Sequence, residues 1–188
     1  MANKDLRDWI SEIEAAGELH KISGAEPKED IGGIVDIVQR KMGNPALMFD
    51  DIPGFPKGYR VLSNLVTSTP RINLALGLPA DASEMDLIQW WRSYMTDAPS
   101  IPPKQVNGGA LLENVMEGGD VDLTSIPTPI WHEHDGGHFI GTACMVVMKD
   151  PDSDWINYGT YRMQVHEPDV ASVMMSPGKH GRLIMEKY

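Results

Sequence analysis

Cysteine is almost absent from this chain of 188 residues, in which Cys144 is the only one. A single cysteine excludes an intrachain disulfide and any metal cluster built on several thiolates. Cys144 falls in an apolar stretch that we predict to be a strand. We therefore expect a small buried side chain there rather than a nucleophile, since no neighbouring residue in the sequence would activate the thiol.

Positive charge is also scarce. The chain has 16 Lys and Arg against 27 Asp and Glu, which gives a net charge of -11. There is no cluster of basic residues to displace counterions, so we predict that neither nucleic acid nor an anionic membrane surface is a partner. Apolar runs of membrane-spanning length are missing, and the first residues lead directly into a charged helical pattern. We predict a cytoplasmic protein.

The first hundred residues alternate between helical and strand patterns. Apolar residues at helical spacing predict helices at 5–16, 31–41, 70–76 and 83–94. Short apolar runs predict strands at 19–22, 46–49 and 60–64. Ser83 is placed to cap the last of these helices. Its apolar stripe is predicted to lie in the core and consists of Leu87, Trp90, Trp91 and Tyr94.

A proline-rich stretch at residues 98–109 divides the chain by composition. We predict an α+β fold with an amino-terminal α/β domain over residues 1–105 and a second, β-rich domain over residues 106–188. The second domain would begin with a strand at residues 111–116. Its glycine pairs lack the strand-to-helix context of a nucleotide-binding loop and therefore indicate turns.

A hairpin is the central prediction for the second domain, with strands at residues 139–148 and 155–165 and a turn at 149–154. Strand alternation would place Asn157, Gly159 and Tyr161 on one side and Tyr158, Thr160 and Arg162 on the other. The guanidinium of Arg162 offers a planar fork of donors that suits a carboxylate or a phosphate. A structural salt bridge to an acidic residue is an equally good interpretation of the same arginine.

Eight short motifs, in this order along the chain, resemble the UbiD family of decarboxylases that use prenylated FMN. They are DLRDW (5–9), GEL (17–19), PALMFD (45–50), ALGL (75–78), DGG (135–137), KDP (149–151), NYGTYR (157–162) and GKH (178–180). Each motif alone is weakly specific, but their order and spacing together are specific. The resemblance implies that the second domain is the first part of a split β-barrel that binds the flavin.

The resemblance also implies roles for individual residues. Two would be ligands of Mn²⁺ or Mg²⁺, which links the protein to the flavin phosphate: Asn157 and His180. Contacts with the flavin would come from Thr160, Tyr161 and Arg162, and Arg162 would also act in catalysis. Thr142 and Lys179 would approach the cofactor or substrate, and the backbone near Trp155 would help to hold K⁺. An amide oxygen and an imidazole are ligands that suit Mn²⁺ or Mg²⁺, and they differ from the thiolates of a thiolate-rich zinc site.

The implied reaction is the reversible, non-oxidative decarboxylation of an aromatic, heteroaromatic or α,β-unsaturated carboxylic acid. The cofactor would accept electron density while carbon dioxide leaves, and the protein would position the substrate and move one proton. A flavin prenyltransferase would supply the cofactor. Relatives form dimers or larger assemblies, so we expect a homo-oligomer for the full-length enzyme.

The remaining catalytic carboxylates of the family and its third metal ligand fall beyond Tyr188. Residues 179–188 predict the start of a helix with no stop signal. We therefore expect this chain to be part of a longer enzyme and inactive alone. A non-catalytic, flavin-binding subunit that needs a partner chain is the alternative. A third hypothesis is a metal-dependent hydrolase, because the imidazoles of His132 and His134 would project to one side of an extended segment around Glu133.

Overall fold

The computed structural model describes residues 5–142 and 144–188 and has the mixed α+β fold that we predicted. Its helices are α1 (Leu6–Ala15), α2 (Ile31–Gln39), α3 (Thr69–Ala75), α4 (Glu84–Asp97) and α5 (His180–Met185). Its strands are β1 (Leu19–Ser23), β2 (Ala46–Asp50), β3 (Val61–Ser63), β4 (Phe139–Ile140), β5 (Val146–Lys149), β6 (Ile156–Gly159), β7 (Met163–Glu167) and β8 (Val170–Val173). Within the described ranges no helix is long and apolar enough to span a bilayer.

The chain forms two compact units, each assembled from three segments. The first contains the residues up to Ser23, then Ile34–Asp50 and Arg60–Glu117. The second contains Gly24–Gly33, Asp51–Tyr59 and Gly118–Tyr188. The domain boundary after residue 105 and the split β-barrel remain predictions.

The first unit is built on a small mixed sheet of order β1-β2-β3, in which β1 and β2 are parallel and β2 and β3 antiparallel. Residues 46–49 of β2 are all buried, so both faces of this central strand are covered. A buried cluster of Trp9, Ile13 and Ala46 joins α1 to the sheet. The predicted helices and strands of this half are confirmed, with shifts of a few residues at their ends.

Helix α4 confirms one prediction and corrects another. Ser83 accepts a hydrogen bond from the Asp86 N–H, and the Asp86 carboxylate accepts one from the Ser83 N–H, so the predicted cap is a full capping box. The apolar stripe was wrongly assigned to the core, because no residue of α4 is buried and Trp91 and Tyr94 are about half exposed. The periodicity identified an apolar face, but the described residues provide nothing that buries it.

The strands of the second unit are shorter than predicted. Residues 139–148 form β4 and β5 with a break at Gly141, whose φ of 70° suits glycine. Residues 155–165 likewise divide into β6 and β7. Strand β4 pairs with β7 in the sheet β4-β7-β8, whereas β5 and β6 form a separate two-stranded sheet. Cys144 therefore lies between strands and is half-buried, not within a buried strand.

The strand predicted at residues 111–116 is also wrong. Residues Ala110–Leu112 form a single 3₁₀ turn, and the residues after it have no regular structure as far as Glu117. The apolar residues there, such as Val115 and Met116, are exposed. Glycines and acidic residues surround this short apolar run, and its composition alone could not distinguish a strand from an irregular segment.

Arg71, in α3, is the largest fully buried side chain of the first unit. Its guanidinium donates to Glu18 Oε2 at 2.6 Å, Asn44 Oδ1 at 2.9 Å and Thr67 Oγ1 at 2.9 Å. These partners come from three separate segments of the chain. A buried charge with several partners is costly to disrupt, because removing one member leaves the others unpaired.

We predict that Arg71→Met lowers the free energy of unfolding by about 3 kcal/mol, since the side chain keeps its bulk but leaves three acceptors, including the buried Asn44, without their donor. Arg40→Met is the matched control, because Arg40 is exposed and its ion pair with Asp36 is a local i, i+4 pair. Urea unfolding followed by circular dichroism measures both variants. Equal losses for the two would contradict a structural role for the buried cluster.

Candidate functional site

The predicted site residues cluster around the β5-β6 hairpin of the second unit. The two strands pair antiparallel, with Met148 opposite Asn157. The turn between them is ordered by its own hydrogen bonds: the Asp150 N–H donates to the Trp155 carbonyl at 2.9 Å, and the Asp152 N–H to Asp150 Oδ1 at 2.8 Å. An aspartate that binds the backbone two residues further on is typical of such turns. The hairpin is thus a well-defined support for side chains of β6.

Asn157 is the most buried residue of β6, with 7 % of its surface exposed. Its neighbour Tyr158 is exposed, as strand alternation requires. The Asn157 Nδ2 atom is buried and has no hydrogen-bond partner among the described residues. A buried amide without a partner costs about 1–3 kcal/mol. This site therefore favours a polar group from outside the described chain, and the amide can present either its oxygen or its nitrogen to it.

Tyr161 connects the hairpin to helix α5. Its hydroxyl oxygen accepts a hydrogen bond from the Gly181 N–H at 3.1 Å. Its ring occupies the space that side chains would need at two glycines, since a Cβ at Gly159 would lie 2.5 Å from Cε2 and a Cβ at Gly181 would lie 2.7 Å from the hydroxyl oxygen. The strand and the helix can approach this closely only because both positions are glycine.

His180 is the first residue of α5 and its side chain is exposed. Its imidazole meets the Trp155 ring edge to face, with centroids 5.0 Å apart and planes at 74°. Helix α5 packs against β6, the strand that carries Asn157. The two predicted metal ligands therefore lie on elements in direct contact. An unpartnered amide and an accessible imidazole fit a cation such as Mn²⁺ or Mg²⁺, although no group of three His, Cys, Asp or Glu in the described ranges could hold one.

Arg162 immediately follows Tyr161, beyond the end of β6, so strand alternation does not extend to it or to Thr160. Its Nη2 atom is 3.4 Å from Asp135 Oδ1, and its guanidinium lies 4.0 Å from the centroid of the Phe139 ring. The Asp135 side chain is only 9 % exposed, whereas that of Arg162 is 45 % exposed. The salt bridge that we considered for Arg162 is thus present. It is long and single, and leaves most of the guanidinium donors accessible to a ligand.

Three other predicted site residues are solvent-exposed: Thr142, Thr160 and Lys179. In the described part of the chain, no hydrogen bond links their side chains to the rest of the site. Thr142 lies in the turn after β4, and Lys179 caps α5 without a side-chain hydrogen bond. Their roles at the cofactor remain predictions.

The segment of the hydrolase hypothesis forms a turn with exposed side chains at His132, Glu133 and His134. The His132 N–H donates to Asp135 Oδ2 at 3.2 Å, so the turn helps to hold the aspartate that faces Arg162. The turn is not the extended segment from which the hydrolase hypothesis argued. This geometry gives the hydrolase hypothesis no support.

One ion pair at the site was not predicted. Lys187 Nζ lies 2.6 and 2.9 Å from the two carboxylate oxygens of Asp150, which is 3 % exposed, and 3.3 Å from Asp152 Oδ2. The hydrogen bond from Lys187, with help from the Asp152 N–H, lowers the pKa of Asp150 below its ordinary value of 3.8. The same bond raises the pKa of Lys187 above 10.5. The sequence predicts Asp150 as part of the turn at residues 149–154 and of the KDP motif, without this partner.

Two models of one enzyme family match most of the chain. The model of the 3-octaprenyl-4-hydroxybenzoate carboxy-lyase N-terminal domain matches residues 10–91, and the model of the Rift-related domain of the same carboxy-lyase matches residues 104–188. The two matches follow each other in the order expected for a single enzyme.

Individual relatives agree. The pyrrole-2-carboxylic acid decarboxylase of Pseudomonas aeruginosa is 28 % identical over 98 % of this chain and 38 % of the relative. The closed form of the vanillic acid decarboxylase of Sedimentibacter hydroxybenzoicus superimposes with a TM-score of 0.90 at 29 % identity, over 100 % of this chain and 40 % of that one. The enzyme HmfF of Pelotomaculum thermopropionicum, solved with prFMN, shares the fold at 23 % identity, with a TM-score of 0.81 over 98 % of this chain and 41 % of that chain. The chain spans about two fifths of the length of these relatives.

The pKa changes of the Asp150–Lys187 pair predict how stability depends on pH. A carboxyl group whose pKa is lowered by folding stabilises the fold at pH values above its unfolded-state pKa, and this effect is lost as pH falls through its folded-state pKa. An amine whose pKa is raised by folding loses its stabilising effect as pH rises through its folded-state pKa. We therefore expect the stability difference between the unchanged chain and Asp150→Asn to be constant from about pH 5 to 9. The stability difference should shrink below pH 3.8 and above pH 10.5. Thermal melting across this range measures it, and a difference that grows in acid would contradict the pairing.

Proposed function

Because the chain belongs to the UbiD family, we propose that it is the amino-terminal part of an enzyme that catalyses reversible, non-oxidative decarboxylation with prenylated FMN. The substrate would be an aromatic, heteroaromatic or α,β-unsaturated carboxylic acid. Relatives that are decarboxylases of pyrrole-2-carboxylic acid and vanillic acid support this class of substrate.

One observation carries the proposal: Tyr161 joins the segment that ends in Arg162 to the helix that begins with His180. The amide, the imidazole and the guanidinium that the family resemblance selects are therefore on neighbouring elements of one compact unit. Asn157 and Arg162 are close in the sequence, whereas His180 lies 18 residues beyond Arg162 and is brought to this segment by the fold. Of these, the buried and unpartnered Asn157 amide most directly indicates a missing ligand.

In this proposal Asn157 and His180 hold Mn²⁺ or Mg²⁺, and the flavin is contacted by Thr160, Tyr161 and Arg162, with Thr142 and Lys179 near the cofactor or substrate. When bound, the cofactor supplies the electron sink that decarboxylation needs. A phosphate group held there would give the buried Asn157 amide a hydrogen-bond partner. K⁺ near Trp155 remains part of the same prediction.

Arg162 would bind the substrate carboxylate through paired, charge-assisted hydrogen bonds. Its single 3.4 Å contact with Asp135 and the stacking on Phe139 hold the side chain without occupying most of its donors. A guanidinium stays protonated at all relevant pH values, so it can serve as a permanent counterion but cannot itself donate the proton that replaces carbon dioxide. That proton would come from an acid other than Arg162.

An alternative function has specific support. The chain covers two fifths of its relatives, and one open form of the S. hydroxybenzoicus enzyme was solved with truncated ShVdcD. We therefore also consider a flavin-binding subunit that requires a partner chain to supply the remaining carboxylates. A cytoplasmic location, a flavin prenyltransferase as cofactor supplier and a homo-oligomeric state accompany both proposals as predictions.

Co-expression distinguishes these functions. The 188-residue chain would be produced with a flavin prenyltransferase, both alone and with the polypeptide encoded directly downstream, and the absorbance spectrum and carbon dioxide release from a panel of aromatic acids would be recorded. We expect turnover only with the downstream polypeptide. Flavin binding by the short chain, together with no coding sequence downstream, would favour the accessory subunit, and the absence of flavin from every sample would refute both.

We predict that Arg162→Ala abolishes turnover in the assembled enzyme while the fold survives, since the side chain is half exposed and makes one long ion pair. Loss of a charge-assisted carboxylate contact should reduce kcat/KM by at least a hundredfold. Arg40→Ala, which removes an exposed ion pair elsewhere, is the control and should retain activity. Normal turnover in Arg162→Ala would refute the role given to this arginine.

A further inference from the structure

Helix α5 is only six residues long, and contacts at both ends fix it to the β5-β6 hairpin. At its start, the Gly181 N–H donates to the Tyr161 hydroxyl at 3.1 Å. Just beyond its end, Lys187 reaches Asp150, and the Tyr188 hydroxyl donates to the Lys149 carbonyl at 3.1 Å. A helix this short has no stability of its own, so tertiary contacts must determine its orientation.

The contact beyond the end of α5 is the stronger of the two. Both oxygens of the buried Asp150 carboxylate accept from Lys187 Nζ, at 2.9 and 2.6 Å. Asp150 is itself fixed, since its N–H donates to the Trp155 carbonyl and its Oδ1 accepts from the Asp152 N–H. The ion pair thus connects the helix to the same turn that presents Trp155.

Trp155 is also the residue that meets His180. Its ring contacts the imidazole at a centroid distance of 5.0 Å, at the opposite end of α5 from Lys187. The turn at residues 150–155 therefore holds the helix at both ends, by an ion pair at one and an aromatic contact at the other. Such an arrangement defines the direction of the helix axis as well as its distance from β6.

We propose that Asp150 and Lys187 are positioning residues, which orient α5 so that the His180 imidazole stays beside Trp155 and close to the strand that carries Asn157. This inference rests on the proposed function in one respect, namely that His180 binds the metal. The ion pair does not touch His180, and acts only through the rigid body of the helix. Groups that orient metal ligands affect metal affinity by about 10–100-fold.

Four variants test the proposal in the 188-residue chain. Lys187→Met removes the charge and keeps the aliphatic stem, and Asp150→Asn removes the charge from the other partner. Lys187→Arg keeps the charge and should preserve the orientation. Arg182→Met is the matched control, because it removes a cation of α5 whose ion pair, with Glu186 one turn along the chain, is local.

Two NMR readouts follow from the geometry. The first is the nuclear Overhauser effect between the ring protons of Trp155 and His180, which needs no metal. The second is the broadening of the His180 and Asn157 side-chain resonances by added Mn²⁺. We expect Lys187→Met and Asp150→Asn to lose the Overhauser effect and to need about ten times more Mn²⁺ for half-maximal broadening. Lys187→Arg and Arg182→Met should behave like the unchanged chain.

An intact Overhauser effect in Lys187→Met and Asp150→Asn would overturn the positioning role, and so would its loss in the Arg182→Met control. Failure of the proposed metal site gives a different result. In that case Mn²⁺ would broaden neither resonance in the unchanged chain, while the Overhauser effect would still decide whether the ion pair orients the helix. The test stays decisive if Lys187→Met fails to fold. In that case, loss of the Overhauser effect in Lys187→Arg, together with an intact effect in Asp150→Asn, would overturn the proposal.

Discussion

The contact of the Tyr161 ring with the backbones of Gly159 and Gly181 is the constraint on which the candidate site depends. A Cβ on either glycine would come within 3 Å of the ring or its hydroxyl, closer than real contacts allow. With a side chain at either glycine, the Tyr161 ring would have to move from its place between strand β6 and helix α5. Asn157 lies two residues before one glycine and His180 immediately before the other, so this packing brings together the two elements that carry them.

The sequence predicted most of the helices and strands of the first unit, because each has an apolar period and a recognisable start, such as the Ser83 cap of α4. The sequence-based predictions failed where the structure depends on which other segments pack against or pair with an element. The stripe of Trp91 and Tyr94 has the period of a buried face, yet periodicity cannot tell whether any segment covers it. Similarly, the run at residues 139–148 has strand composition, but Gly141 with its positive φ lets β4 and β5 join different sheets.

The candidate site also contains residues that the sequence predicted and partners that it did not. Residue types and motif order were enough to select Asn157, Arg162 and His180, because amide, guanidinium and imidazole groups have specific chemical uses. Their partners could not be read from local patterns. Asp135 is 27 residues from Arg162, and Lys187 is 37 residues from Asp150. Such pairs depend on how strands and turns are brought together, and either aspartate would serve equally well as an ordinary turn residue.

Two arginines show how the structure separates a structural from a functional role. Arg71 is fully buried, and three side chains accept from its guanidinium at 2.9 Å or less, so few of its donors remain for a ligand. Arg162 has one acceptor at 3.4 Å and an aromatic face at 4.0 Å. A guanidinium held by one long contact keeps paired donors available for a substrate carboxylate. The weakness of the Arg162 ion pair is therefore an argument for ligand binding, whereas the full burial of Arg71 among its own partners argues against it.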